Sequence, residues 1–230
     1  MIPKLDKKRN QKSLQGDKMD DSYKKTGTTT IGIICKDAVI LAADKRATAG
    51  NMIVGKDMEK VLEITPNMAL TTAGVVSDIQ LLVKYLRAEL KLKDIRTGRK
   101  TTVKEAANYL ARMNYENIRS SNMGICHFLF AGFDDVNGSQ LFDVYPDGSL
   151  TSISKEQGFM ASGSGSVFAL GLLEDGWKKD MNQEQGIDLA IRAVNVALQR
   201  DSASGEGVDV TVIDKKGQRK VQKLLNTRLQ

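Results

Sequence analysis

The string Gly27-Thr28-Thr29-Thr30 is the one place in this 230-residue chain where residue types suggest covalent chemistry without help from an imidazole. A threonine that stands first in a chain carries its own α-amino group, whose ordinary pKa lies near 8, about two units or more below a lysine side chain. Such a base is partly free near neutral pH and is tethered beside the hydroxyl that it activates. Peptide-bond cleavage then needs no histidine, on the strict condition that the bond before the threonine has been cut. Glycine at position 27 suits that cut. It has no Cβ to clash and tolerates strained backbone, which lets the Thr28 hydroxyl reach the Gly27 carbonyl. Hydrolysis of the resulting ester would release residues 1–27. Taken alone, the string reads as the ordinary start of a β-strand.

Other chemistry is scarce. The lone histidine, His127, sits in an apolar strand and reads as a satisfied core residue. No Ser-His-Asp or Cys-His set can be built with a spare histidine, and no His-Glu-x-x-His or Cys-x-x-Cys is present for zinc, so neither a metal nor a cofactor is expected. Cys35 and Cys126 are far apart and fit a reduced cytoplasmic protein. No apolar run approaches the roughly 20 residues that span a bilayer, so a soluble chain with no membrane partner is expected. The formal charge is +6, with 34 basic and 28 acidic residues. Residues 1–27 hold eight of the basic and four of the acidic groups, which leaves the remainder near balance. That distribution, with few aromatics and no base-reading motif, argues against nucleic acid.

These residues need elements to position them. Residues 1–27 are polar and charged, too poor in large apolar side chains to fold alone, and lack both a secretory apolar stretch and the composition of a transit peptide. From Thr28 the character changes. TTTIGIIC and AVILAAD, joined by Lys36-Asp37, read as a hairpin, followed by short strands near 53–54, 61–64 and 68–73. Ile79, Leu82, Val83, Leu86 and Leu90, then Ala106, Leu110 and Met113, recur at helical spacing. Strands are expected again over 125–133, 140–145 and 150–153, separated by Asp-Asp-Val-Asn-Gly and Pro-Asp-Gly turns. Two helices follow, carrying Phe168, Leu172 and Leu173, then Ile187, Ala190, Val194 and Leu198; a strand pair, 208–213 and 219–224, ends the pattern. Strands, two helices, strands, two helices, strands suits two sheets packed face to face with helices outside, an α+β sandwich in four layers.

At this point the chain resembles the proteasome β subunits, closest in kind to those of archaea. The resemblance rests on GTTTIGII, then AVILAADKRAT, the lysine of DMEKV, TTAG, GSGS and RDSASG, in that order, and covers residues 27–224. It implies an N-terminal nucleophile hydrolase fold, the αββα sandwich, and a threonine endopeptidase made as a zymogen. Residues 1–27 would be a propeptide removed by autolysis and 28–230 a single catalytic domain. The resemblance assigns Thr28 as nucleophile and, once freed, proton shuttle, with Asp44 and Lys60 as the charged pair beneath it; Arg46, two residues beyond Asp44 and expected on the same side of its strand, would support the site. Ser164, Asp201 and Ser204 would surround the threonine amine, and the Gly74 N–H would serve an oxyanion. Ala47, Met58, Thr72 and Val76 would line the pocket for the residue before the scissile bond, and Thr48 would bind substrate backbone. Small or apolar lining predicts cleavage after apolar residues. The implied partners are proteasome α rings, further β subunits in seven-membered rings, a separate regulatory ATPase and unfolded polypeptides. The competing expectations are a non-catalytic structural β subunit, which usually lacks the threonine or the lysine, and the simpler bacterial two-ring protease.

Overall fold

The computed structural model describes residues 27–120 and 124–221. The expected propeptide up to residue 26, and the end of the last expected strand beyond residue 221, lie outside the described residues. The chain runs β1 (Thr30–Ile34), β2 (Ala38–Asp44), β3 (Ala47–Ala49), β4 (Met52–Gly55), β5 (Val61–Thr65) and β6 (Met68–Gly74). Helices α1 (Val76–Thr97) and α2 (Val103–Ile118) follow, then β7 (Cys126–Asp134), β8 (Gly138–Val144), β9 (Leu150–Ile153) and β10 (Phe159–Ser162). Last come α3 (Ser166–Gly176), α4 (Gln183–Arg200), β11 (Val208–Asp214) and β12 (Gly217–Lys220).

Two five-stranded antiparallel sheets result, in the orders β10-β1-β2-β11-β12 and β5-β6-β7-β8-β9, with β3 and β4 as a separate hairpin. The strands near the centre are buried on both faces, which is why they read as continuous apolar runs. Period-two alternation then sorts each side chain to a layer. In β2, Ala38, Ile40 and Ala42 pack under α3 and α4 with Leu173, Leu189 and Val194. Val39, Leu41 and Ala43 point the other way and meet Leu129, Ala131 and Leu141 between the sheets. Phe128 and Phe130 of β7 turn outward beneath α1 and α2, against Leu86 and Leu110. The four-layer α+β sandwich is therefore built by side-chain parity in the two central strands.

Helix ends follow local chemistry. Thr102 Oγ1 accepts from the Glu105 amide at 3.3 Å while Glu105 Oε2 accepts from the Thr102 amide at 3.0 Å, and Asn182 and Gln185 form the same reciprocal box at the start of α4. Among the described residues no helix is long and apolar enough to cross a membrane.

Three expectations need correction. Phe168 is 38% exposed, and Ala169 and Leu173 are the buried residues of α3. Strand β10 falls in a stretch to which the sequence pattern assigns no element, because it is an edge strand of only four residues paired with β1. Arg46, expected on the strand of Asp44, lies in the break between β2 and β3.

Candidate active site

Strand pairing brings distant segments to Thr28, just ahead of β1. Thr29 donates its amide to Asp44 Oδ1 at 3.0 Å, and the Asp44 amide donates to the Thr29 carbonyl at 3.1 Å, so the end of β2 is fixed beside Thr28. On the other flank β10 pairs with β1, placing Ser162 opposite Thr30, with their hydroxyls 2.9 Å apart. The chain then turns through Gly163 at φ +90°, where a side chain would collide with the Thr28 carbonyl; glycine lets the turn close this tightly. Gly165 N donates to the same carbonyl at 3.3 Å.

Lys60 immediately precedes β5 and reaches in from the second sheet. Its Nζ donates to Thr28 Oγ1 at 3.0 Å and to Asp44 Oδ1 at 2.7 Å. Both side chains are nearly sealed from water, 6% exposed for Lys60 and fully buried for Asp44. A buried carboxylate is tolerable only when its lone pairs are satisfied. Asp44 meets that condition with four donors: Lys60 Nζ, the Thr29 amide, the Arg46 amide at 3.1 Å and the Gly205 amide at 3.0 Å. Burial lowers the Lys60 pKa from its ordinary value, outweighing the opposing attraction of Asp44. The ammonium can therefore lose its proton more readily than a solvated lysine.

Above Thr28 the hydroxyl and carboxyl groups form a chain. Thr28 N donates to Ser164 Oγ at 3.2 Å, Ser164 donates to Asp201 Oδ2 at 2.6 Å, and Ser204 donates to the same oxygen at 2.6 Å. Ser204 also shares a hydrogen bond of 2.7 Å with the Thr29 hydroxyl, so it braces residue 29. Arg46 holds the 202–206 loop, donating to the Ser202 carbonyl at 2.9 Å and pairing with Glu206 at 3.2 Å. Its side chain holds the loop and does not hydrogen-bond to Thr28.

Gly27 is attached to Thr28, so the Thr28 nitrogen is an amide here. Thr28 Oγ1 donates to the Gly27 carbonyl at 2.6 Å, and the Gly27 amide donates to Thr48 Oγ1 at 3.1 Å. A cavity of about 120 Å³ opens beside this bond, lined by Ala47, Thr48, Met58, Thr72, Gly74 and Val76, with Lys60 at the side. An apolar cavity of about 150 Å³ holds a benzene, so this one is scaled to a single side chain. The sequence reading missed Glu59, Leu62, Ile79 and Gln80 in the same wall. Ile79 was visible only as one of the apolar residues at helical spacing; nothing in the pattern showed that the first turn of α1 borders the cavity. Glu59 adds a charge to the rim, and that charge is paired with Lys220. His127 lies 2.6 Å from Asp143 and stacks on Tyr145, so its ring is satisfied by neighbours, although the side chain is half-buried and not fully in the core.

Two sheets stacked face to face under outer helices, with a threonine just ahead of an interior strand, define the N-terminal nucleophile hydrolase fold. Comparison with known proteins narrows the class. The family described as "Proteasome subunit" matches residues 24–213. The chain is 41% identical over 199 residues to proteasome subunit beta 1 of Thermococcus gammatolerans, covering 86% of this chain and 95% of that one. It is 42% identical to the proteasome subunit beta of Methanocaldococcus jannaschii over 193 residues, covering 83% of each. With that of Methanosphaerula palustris it shares 42% over 199 residues, 86% and 90% of the two chains. This chain belongs to the proteasome subunit family, as a β-type subunit of the 20S core that assembles with α and β subunits.

Proposed function

We propose that this subunit is catalytic, a threonine endopeptidase that activates itself by cutting the Gly27-Thr28 bond. The observation that carries the reading is the hydrogen-bonded line from Asp44 through Lys60 to Thr28 Oγ1, which ends on the Gly27 carbonyl. A structural subunit has no use for a buried lysine aimed at a threonine hydroxyl.

Two reactions follow from one nucleophile. Before the cut there is no α-amine, and Lys60 Nζ at 3.0 Å is the amine that can take the Oγ1 proton; its lowered pKa suits the task. Oγ1 bonds to the Gly27 carbonyl carbon, the carbon–nitrogen bond breaks, and the proton ends on the Thr28 nitrogen. Water then cleaves the ester, restoring the hydroxyl and freeing residues 1–27, which leaves 28–230 as the catalytic domain. Afterwards the new amine lies beside Ser164 and Asp201, which hold it and a water for substrate turnover. Gly74 borders the cavity and supplies the oxyanion donor, an interaction whose loss costs about 10²–10³ in rate.

The apolar cavity walls select an apolar residue before the scissile bond. The substrates are unfolded polypeptides fed into the ring assembly by a separate ATPase in the cytoplasm. Fluorogenic peptides ending in leucine, aspartate or lysine, given to the assembled particle, test both points. Hydrolysis after leucine should lead and should vanish in Thr28→Ala. Faster cleavage after aspartate or lysine contradicts the cavity reading, and residual activity in Thr28→Ala contradicts the nucleophile.

A further inference from the structure

The cavity beside Thr28 accepts a side chain, yet the residue bonded to Thr28 in this chain is glycine. The difference has a physical cause in the loop that follows α4. A Cβ on Gly27 would overlap the methyl carbon of Ala203, a residue outside the cavity lining, with the Ala203 Cα at 2.9 Å and its carbonyl carbon at 3.2 Å. Contacts below about 3.0 Å force something to shift, and neither side is free to yield. Gly27 is pinned through both of its peptide groups, its amide donating to Thr48 Oγ1 at 3.1 Å and its carbonyl accepting from Thr28 Oγ1 at 2.6 Å. Ala203 is equally fixed. Its amide donates to Asp201 Oδ1 at 3.2 Å, Arg46 holds the preceding Ser202 carbonyl at 2.9 Å, and the following Gly205 amide donates to Asp44 at 3.0 Å.

We propose that Ala203 is the specificity-determining residue of self-cleavage, its methyl group admitting only glycine at position 27, with Thr48 holding the glycine amide in register. This deepens the self-cleavage reading above and rests on it. One nucleophile thereby has two acyl specificities. A separate substrate places its side chain in the cavity, whereas the tethered leader must present Cα on the Ala203 side, where there is room for hydrogen alone. A larger residue at 27 pushes the carbonyl off Oγ1, and a misplacement of about 1 Å costs on the order of a hundredfold in rate.

The test is a double-mutant cycle in the full-length chain assembled with its α-subunit partners, following the mass shift from loss of residues 1–27 over time. Gly27→Ala should slow processing by about a hundredfold in the Ala203 background. In the Ala203→Gly background the same substitution should cost at least about tenfold less, because contacting residues couple. The recovery is partial, since the backbone at 203 still stands 2.9 Å from the added carbon. Equal penalties in the two backgrounds overturn the proposal, as does a Gly27→Ala chain that processes at the parent rate. So does an Ala203→Gly chain that assembles with Gly27 intact and never processes, since removing a methyl cannot close this gate. Failure of the underlying reading looks different: cleavage at Gly27-Thr28 would persist in Thr28→Ala.

Discussion

In the proposed mechanism, Lys60 is the residue on which the two stages of the chemistry diverge. Its burial pulls the amine below the ordinary lysine pKa of about 10.4. A group that must be neutral to accept a proton gains activity as pH rises through its folded pKa. Processing of the full-length chain should therefore accelerate with pH and level off at a midpoint below that of a solvated lysine. Peptide hydrolysis by the processed particle should follow the threonine amine instead, near about 8. The same shift carries a stability sign. Because the charged form is disfavoured in the fold, Lys60 costs stability at low pH, and that cost is relieved as pH climbs from the folded pKa toward the unfolded one. Lys60→Arg, which keeps the charge and cannot lose its proton, should leave the chain unprocessed in a time course by mass. Processing at the parent rate would remove Lys60 from the proton-transfer step.

Elements hold these groups in place by two kinds of device, and only one is visible in sequence. Turn signals are local, so the hairpin of β1 and β2 and the Asp134–Gly138 turn could be anticipated from neighbouring residues. The double-sided burial of β2 and β7 was likewise written in their unbroken apolar runs. Strand β10 was not, because its four residues acquire meaning only by pairing with β1, over a hundred residues earlier. Phe168 misled for a related reason: helical spacing shows that a stripe exists and leaves open which stripe faces the sheet, here the one with Ala169 and Leu173. The site residues named from family resemblance do gather around Thr28, whereas the Ala203 contact with Gly27 lies in no motif and emerges only from packing. At this scale the helix layers should act on stability alone. Thr102→Ala removes half of a capping box and should cost about 1 kcal/mol in denaturant unfolding of the subunit. Its processing rate should be unchanged; a slowed rate would mean that α2 is coupled to the site.

At the scale of the whole molecule, the proposed function describes a peptidase that is inert until one of its own bonds is spent. On that reading the α-amine needed for turnover is locked in a peptide, and Gly27 lines the cavity assigned to substrate. Assembly into the core particle with α and β subunits can thus precede the appearance of any working nucleophile. Most of the chain's basic excess belongs to residues 1–27, so removal of that segment, as proposed, would take away much of the subunit's positive charge. The most direct test is to sample one assembling preparation repeatedly, recording intact subunit mass and peptide hydrolysis in the same aliquots. The account predicts that activity rises in proportion to the chain beginning at Thr28 and is zero while Gly27 remains attached. Peptide hydrolysis by particles in which every copy still carries Gly27 would contradict it.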